Sequence, residues 1–299
     1  MDRAIEVTDL VKRYRMVEAV RGVTLEVRAG ETVGYVGPNG AGKTTTLRCM
    51  LGLLRASSGS IRILGREVPG QLSWVLERVG HIPGEFGLWP QLTGRQCLDY
   101  LGRLQHRPAG RRSELCERFE LPRADLDRHV RFYSRGMRQK IAIVQAFQHN
   151  PELVIMDEPT EGLDPVMKDR FLALLADHRA TGGSALMSSH ILSEVEQAAD
   201  RVAVLRAGRV IKEVAARDLT GDRVRHCTLT LANPAEAAAT LTLPGAVELR
   251  RDGHTLRFDH RGDMAPLLRA LAGLTVVEFL SEPGNLLEAF FKVSDQDRR

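Results

Sequence analysis

The sequence predicts an α/β fold, in which helices pack on a mostly parallel β-sheet. Short apolar runs alternate with longer segments of helical periodicity over much of the chain, as expected for such a sheet. The run Leu153–Met156 is apolar at every position, which suits a strand that is buried on both faces. The predicted strands are Val23–Val27, Thr32–Val36, Ile61–Leu64, Leu153–Met156, Ala185–Met187, Val202–Leu205 and Val210–Ile211.

The helical pattern is densest in the middle of the chain. From about Gly94 to Asn150 the sequence is helical, arginine-rich and poor in strands. We therefore expect a helical subdomain of about residues 94–150 that is inserted between two halves of the sheet. Helical segments are predicted after Gly42, over Gly94–Leu104, from about Gly136, and over Pro165–Arg179 and Ile191–Ala199.

A small α+β domain is expected after a boundary near Leu219–Arg223. Beyond that boundary the order is strand, helix, strand, strand, helix, strand, which is the split βαββαβ arrangement, and a last helix follows. We therefore expect a first domain at residues 1–220 and an accessory domain at residues 221–299. The predicted segments are Cys227–Leu231, Ala235–Leu241, Val247–Leu249, Thr255–Phe258, Met264–Ala272, Val276–Leu280 and Leu286–Val293.

Composition and charge restrict the classes of function. The chain has 299 residues, of which 43% are hydrophobic, as in globular proteins with a buried core. The formal net charge of +4 is small for a dedicated nucleic-acid binder, so no nucleic-acid partner is expected. The four scattered cysteines predict free thiols rather than a disulfide framework or a zinc site. They are Cys49, Cys97, Cys116 and Cys227.

The sequence contains no apolar run of roughly 18 residues or more, the length that a membrane-spanning helix needs. The first residues also lack the basic and apolar regions of a signal peptide. We therefore expect that any membrane role comes through a partner.

A phosphate-binding loop follows the predicted strand Thr32–Val36. Its pattern is G-x-x-x-x-G-K-S/T, and it comprises Gly37, Pro38, Asn39, Gly40, Ala41, Gly42, Lys43, Thr44 and Thr45. Glycines let backbone N–H groups converge on an anion, and the helix that follows adds the positive end of its dipole. Lys43 is expected to reach the β- and γ-phosphates of ATP, and the Thr44 hydroxyl to ligate Mg²⁺.

An acidic pair follows the buried run Leu153–Met156. In a P-loop site the acidic residue that ends such a strand holds Mg²⁺, which assigns Asp157 as a metal residue acting through water. The next residue, Glu158, is the candidate general base that polarises the attacking water.

Further motifs resemble those of ABC-type ATPases. The segment Tyr133–Lys140, with Ser134 and Gly136, resembles the signature motif that is usually written LSGGQ. Glu161–Asp164 is similar to the D-loop of that family, and His190 to its switch histidine. Tyr14 lies where the family places an aromatic ring against adenine, although a simple sheet aromatic is the alternative. The motifs stand in the family's order over about residues 4–215.

The resemblance implies a head-to-tail dimer. A helix that begins at the signature offers free N–H groups to a γ-phosphate, and in this family that phosphate is bound by the other subunit. Two residues, Ser134 and Gly136, are then expected to act across the interface, and the D-loop residue Asp164 to belong to the same nucleotide site. Catalysis within each chain is assigned to Lys43, Glu158 and His190.

The implied biology is export. ATP would join two ATPase subunits at the cytoplasmic face of the cell membrane, and hydrolysis would release them. A homodimer is the simpler expectation, and a heterologous pair is the alternative. The tail resembles that of ABC-2 type drug or antibiotic exporters, whose separate membrane subunits have about six helices each. An ABC importer, or a non-transport ABC ATPase that acts on ribosomes or DNA, remains the alternative.

Two positions depart from the family pattern. Arg135 and Met137 replace Gly and Gln of LSGGQ, as in variants of bacterial export systems. Gly84 stands where the family has a Gln that links Mg²⁺ to the membrane partner, so Glu85 or water would have to replace it. The following apolar residues could line a groove for a membrane-protein helix or could belong to the core. They are Phe86, Leu88 and Trp89.

Overall fold

The computed structural model describes residues 3–220, 225–233 and 243–283. The chain divides into two compact units, and the division falls between Ala216 and Arg217. Two predicted helices, Ala235–Leu241 and Leu286–Val293, lie outside the described residues.

The first unit contains ten strands among its described residues. They are β1 (Arg3–Tyr14), β2 (Val17–Arg28), β3 (Thr32–Val36), β4 (Ser58–Ile63), β5 (Arg66–Val68), β6 (Val79–Ile82), β7 (Leu153–Asp157), β8 (Ser184–Ser189), β9 (Arg201–Arg206) and β10 (Arg209–Ala215).

Its helices lie between these strands in the chain. They are α1 (Lys43–Met50), α2 (Leu72–Leu76), α3 (Gly94–Leu104), α4 (Arg112–Arg118), α5 (Arg123–Leu126), α6 (Arg135–Phe147), α7 (Pro165–Ala180) and α8 (Leu192–Ala198), with a short 3₁₀ helix at Val130–Phe132. Helices α3 to α6 follow in succession between β6 and β7. A second 3₁₀ helix, Ala216–Thr220, begins at the division between the two units. Among the described residues, no helix combines the length and the apolar character needed to cross a membrane.

The larger sheet confirms the predicted α/β fold. Its strand order is β10-β9-β3-β8-β7-β6. All neighbours pair in parallel except β10, which runs antiparallel to β9. Every residue of β3, β7 and β8 is buried. Helices such as α7 and α8 pack on this sheet, and side chains of β1 and β2 share a core with side chains of β3, β7 and β8. The carboxyl ends of these three strands therefore meet at one edge.

A second sheet was not predicted. It is antiparallel, with the order β2-β1-β4-β5, and it contains two of the runs assigned to a single mostly parallel sheet, Val23–Val27 and Ile61–Leu64. Long strands such as β1 have one solvated face, so buried and exposed positions mix along them and no continuous apolar run marks them. The expectation of one sheet was therefore wrong, and β1, β5 and β6 were missed.

Residues 94–150 contain helices and no strand, and they lie between β6 and β7 in the chain. Helix α3 begins at Thr93 with a capping box: the Gln96 backbone N–H donates to the Thr93 hydroxyl, and the Thr93 N–H donates to the Gln96 side chain. Helices α3 and α4 pack against α6. Arg112 of α4 donates to the Leu98 carbonyl and to Gln148, which ties the segment together.

The second unit is an antiparallel sheet with one described helix. Its strands are β11 (Arg225–Leu231), β12 (Ala246–Asp252), β13 (Thr255–His260) and β14 (Val276–Pro283), and its helix is α9 (Met264–Leu271). The order in the sheet is β12-β13-β11-β14. Inward-facing side chains such as Leu229, Phe258 and Leu267 form a core of their own. The βαββαβ assignment stays a prediction, since its first helix is not described.

Candidate active site

The loop between β3 and α1 has a shape that only glycine permits at two positions. A Cβ atom on Gly37 would lie 2.3 Å from the Leu205 carbonyl oxygen, and one on Gly42 would lie 2.6 Å from the Ala19 carbonyl oxygen. Gly42 also has a φ of 108° at the start of α1, which is the left-handed region. The two glycines therefore let the loop lie directly against the backbone at Leu205 and Ala19.

Lys43 is the first residue of α1, and its side chain is buried. The Nζ atom donates to the Gly37 carbonyl at 2.6 Å, and it lies 3.5 Å from Glu158 Oε1. The ammonium group is therefore held against the loop, in a position to contact a phosphate bound there.

The three threonines after Lys43 have different environments. Thr44 is exposed, Thr45 is partly buried and Thr46 is buried. The Thr46 hydroxyl donates to the Gly42 carbonyl at 2.9 Å and so supports the loop from inside. Of the three, Thr44 presents its hydroxyl to solvent at the helix start.

Asp157 ends β7 and is buried. The Ser188 hydroxyl on the neighbouring strand β8 donates to Asp157 Oδ1. The other carboxylate oxygen, Oδ2, faces Gly84, where an added Cβ atom would lie only 3.2 Å away. Gly84 therefore borders the candidate metal residue directly, and a larger residue at position 84 would crowd this carboxylate.

Glu158 joins Lys43 to His190. Its Oε2 atom lies 2.8 Å from His190 Nδ1, and its Oε1 atom lies 3.5 Å from Lys43 Nζ. The Glu158 backbone has a φ of 49°, an unusual value for a residue other than glycine. Its N–H donates to the Ser188 carbonyl and hydroxyl oxygens, each at 3.2 Å. These bonds hold the strained residue in place.

Ser188 was not singled out from the sequence. Its hydroxyl donates to Asp157 and accepts from the Glu158 N–H, so one buried side chain orients both acidic residues. Only the parallel pairing of β7 with β8, which places Asp157 opposite Ser188, brings these groups together. A serine at a strand end carries no such signal in a sequence.

The signature segment begins helix α6. The Met137 N–H donates to the Ser134 hydroxyl at 3.2 Å, which caps the helix, and Ser134 itself is exposed. A Cβ atom on Gly136 would lie 2.9 Å from the Gly162 carbonyl oxygen. Gln139 donates to the Pro159 carbonyl. The start of α6 is therefore packed on the loop that follows Glu158.

Two other contacts belong to this loop. Arg135 forms an ion pair with Glu161, which the sequence analysis missed. Asp164 caps helix α7, because its Oδ1 atom accepts from the Met167 N–H at 3.0 Å. Among the described residues, no hydrogen bond or ion pair joins Ser134 or Asp164 to the side chains of Lys43, Glu158 and His190.

The aromatic side chains lie at the surface. Tyr14 ends β1 and is 42% exposed, and the Lys12 Nζ atom lies 5.1 Å from the centre of its ring. Trp89 is 38% exposed and packs edge-on against Tyr100, with ring centres 4.9 Å apart. Phe86 and Leu88 are partly buried. Neither Tyr14 nor Trp89 is a core residue.

Among the residues that the structure describes, no cluster of three or more histidine, cysteine or acidic side chains could hold a metal ion by itself. The available oxygen donors are the Thr44 hydroxyl and the Asp157 carboxylate. Mg²⁺ is usually bound by one or two protein oxygens together with substrate phosphates and water, so these donors fit that ion. All four cysteines are buried free thiols, as predicted.

The geometry defines a P-loop nucleotide-binding domain: a glycine loop with its lysine, and an acidic pair at the end of a neighbouring parallel strand. Comparison with known proteins agrees. The model of a family described as ABC transporter matches residues 20–161. The solved structure of an ATP-binding subunit of an ABC transporter superposes with a TM-score of 0.67 at 31% identity, covering 72% of this chain and 91% of that one.

Two curated relatives extend over the whole chain. The Daunorubicin resistance ATP-binding protein DrrA3 of Streptomyces coeruleorubidus is 36% identical over 100% of this chain and 98% of its own. The Nod factor export ATP-binding protein I of Cupriavidus metallidurans is 32% identical over 100% of both chains. The protein therefore belongs to the family of ABC transporter ATP-binding proteins, and it binds and hydrolyses ATP.

Proposed function

We propose that this chain is the ATPase subunit of a bacterial exporter, in which two copies dimerise head to tail on ATP and drive export through separate membrane subunits. One observation supports the head-to-tail dimer. Lys43, Glu158 and His190 are assembled within one chain, whereas the capped start of α6 at Ser134 is exposed to solvent. In this proposal the start of α6 binds a phosphate that is held by the other chain.

Each half-site has a distinct role in this proposal. Lys43 and the backbone N–H groups of residues 37–45 bind the phosphates, and Tyr14 stacks on the adenine. Glu158 polarises the attacking water, while His190 contacts the γ-phosphate. On ATP binding, Lys43 and His190 exchange their contacts with Glu158 for contacts with phosphate and water.

The nucleotide site would hold Mg²⁺. Thr44 would bind the ion directly and Asp157 would bind it through water. The ion would neutralise the charge that develops on the phosphate oxygens. Because Gly84 has no side chain, its position leaves room for water beside Asp157, and Glu85 is the nearest residue in sequence that could replace the absent Gln.

The partner subunit contributes Ser134 and Gly136 to the γ-phosphate. The free N–H groups and dipole at the start of α6 suit that anion, and Asp164 holds α7 beside the same interface. Residues 1–220 form the nucleotide-binding domain in this proposal, and residues 221–299 form an accessory domain.

Export is proposed because two relatives that match over the whole chain are named for daunorubicin resistance and for Nod factor export. The ATPase subunit then lies at the cytoplasmic face of the membrane, bound to membrane subunits of about six helices each. The partly exposed Trp89, with Phe86 and Leu88, is the proposed contact for a helix of such a subunit. Two identical ATPase chains are the simplest assembly, since each carries a full set of motifs.

Cysteine cross-linking tests the head-to-tail dimer. Asn39 and Ser134 are both exposed, and the native cysteines are buried, so the background is low. In the Glu158→Gln background, a chain carrying Asn39→Cys and Ser134→Cys should give a covalent dimer on oxidation when ATP and Mg²⁺ are present. Chains with either cysteine alone are the controls. Dimers formed equally well by one single variant would show a head-to-head arrangement.

An affinity isolation tests the export claim. The tagged chain is isolated from gently solubilised native cells, and the bound proteins are identified by mass. A multi-helix membrane protein in stoichiometric amount supports the proposal. Recovery of ribosomes or DNA-bound proteins without a membrane protein would overturn it, and a substrate-binding protein among the partners would indicate an importer.

A further inference from the structure

A buried carboxylate lies next to the catalytic residues and has no role in the proposed mechanism. Glu194 is on α8, four residues after His190, and it is only 9% exposed. Its Oε1 atom accepts from Lys168 Nζ at 2.7 Å, and its Oε2 atom accepts from the Thr160 hydroxyl. Burial of a carboxylate is costly unless it is paired and hydrogen-bonded, and here both oxygens have partners.

These bonds connect the same two segments that Glu158 and His190 connect. Thr160 lies two residues after Glu158, and Glu194 lies four residues after His190. The segments are therefore joined twice: once at the surface of the site by Glu158 and His190, and once in the interior by Thr160 and Glu194. Lys168 adds the first turns of α7 to the inner connection.

The two connections differ in what ATP does to them. The outer one lies in the nucleotide site, and in the proposed mechanism ATP exchanges it for contacts with phosphate and water. The inner one involves two buried residues that lie outside the nucleotide site, so it can persist while ATP is bound. It can then keep the His190 segment in register with the Glu158 segment.

We propose that Glu194 is a positioning residue for ATP hydrolysis, which acts through its hydrogen bond with Thr160 to hold His190 and Glu158 in place after ATP has separated them. The inference rests on the proposed roles of Glu158 and His190. The inner connection positions Glu158 and His190, and its hydrogen bonds do not involve the phosphate-binding loop. Its loss should therefore lower the rate of ATP hydrolysis more than the affinity for ATP.

Two substitutions of Thr160 separate hydrogen bonding from packing. Thr160→Val keeps the shape and removes the hydroxyl, whereas Thr160→Ser keeps the hydroxyl and removes a methyl group. In steady-state ATPase measurements, Thr160→Val should lower kcat by on the order of tenfold with little change in KM, because a hydrogen bond to a buried charge is lost. Thr160→Ser should retain most of the turnover. The opposite ranking would show a packing role and overturn the proposal.

Glu194→Gln tests the pair itself. If Thr160 and Glu194 act as a unit, the double variant Thr160→Val with Glu194→Gln should be no slower than the slower single variant. Multiplication of the two single effects would contradict the proposal. Thr181→Val is the control, because its hydroxyl donates to the His178 carbonyl at the far end of α7, and it should leave kcat unchanged. Thermal unfolding of every variant reports on folding.

Parallel assays of Glu158→Gln and His190→Ala keep the two proposals distinguishable. If either turns over at the wild-type rate, the catalytic roles proposed above fail. If both lose turnover while Thr160→Val does not, those roles stand and only the positioning role of Glu194 is overturned.

Discussion

The two halves of the active site differ in how complete they are within one chain. In the half at the ends of β3, β7 and β8, Glu158 contacts both Lys43 and His190. In the half at the start of α6, Ser134 is exposed and its hydroxyl bonds only within its own helix turn among the described contacts. The first half is therefore assembled within one chain, and in the proposed dimer a partner's bound phosphate completes the second half.

The loop of residues 159–164 lies between these halves. It follows Glu158 directly in the chain. It also contacts α6, because Gln139 donates to the Pro159 carbonyl and Gly136 lies against the Gly162 carbonyl oxygen. The loop therefore contacts the start of α6 and continues directly from Glu158, so it joins the two halves within one chain. Gly136 allows the close approach of α6 to the Gly162 carbonyl oxygen.

The largest effect is expected from a substitution in the half of the site that is assembled within one chain. Glu158→Gln removes the candidate base but keeps the shape of the side chain, so turnover should fall by about 10²–10⁴-fold, the usual contribution of general base catalysis. ATP should still bind, and the ATP-bound dimer should accumulate on size-exclusion chromatography. Glu114→Gln, an exposed acid of α4, is the matched control and should behave as wild type. Rapid turnover by Glu158→Gln would exclude this residue as the base.

The buried end of α6 gives the next prediction. His149 follows this helix and is buried. Burial, followed by the nearby Arg107 guanidinium, lowers the pKa of His149 from 6.5 to about 4, and a backbone hydrogen bond with Val79 opposes this shift only in part. The unfolded chain therefore binds more protons between these values, so the stabilisation is complete above pH 6.5 and is lost as the pH falls toward 4.

Denaturant unfolding of the wild type and of His149→Gln at two pH values measures the pH-dependent contribution of His149 to the free energy of unfolding. Between pH 7 and pH 5 the free energy of unfolding of the wild type should fall by about 2 kcal/mol more than that of the variant. Equal losses in the two proteins would show that the pKa of His149 is close to that in the unfolded chain.

A smaller effect is expected at Tyr14, which lies at the edge of the half that is assembled within one chain. If the ring stacks on adenine, Tyr14→Ala should weaken ATP binding by about 1–3 kcal/mol, and Tyr14→Phe should bind nearly as the wild type does. Titration with a fluorescent ATP analogue measures both. Equal affinity of Tyr14→Ala and the wild type would leave Tyr14 as a surface aromatic of β1.

The smallest effect concerns the ion pair between Arg135 and Glu161 at the start of α6. Both side chains are largely exposed, so the pair should contribute no more than about 1 kcal/mol to the free energy of unfolding. Glu161→Gln should accordingly change thermal stability very little. If it instead lowered the ATP-dependent dimer yield in the Glu158→Gln background, the pair would belong to the partner-dependent half of the site.

Much of the site could be predicted because its chemistry depends on local spacing. The glycine loop with Lys43, and Asp157 and Glu158 after an apolar strand, are short continuous patterns with a physical reason for each residue type. Helix α3 occupies the predicted Gly94–Leu104, because its apolar periodicity and its capping residues lie within a few residues of one another.

The tertiary structure decided the rest. The antiparallel sheet of β1, β2, β4 and β5 depends on pairing between distant segments, and such pairing leaves only weak traces in strands with a solvated face. Ser188 and Glu194 act through Asp157 and Thr160, which are more than thirty positions away in sequence. Sequence alone therefore determined which groups are the candidates for phosphate binding and water activation, since that chemistry is local. Only folding determined which neighbours hold those groups in place, since hydrogen bonds between strands and helices have no fixed spacing along the chain.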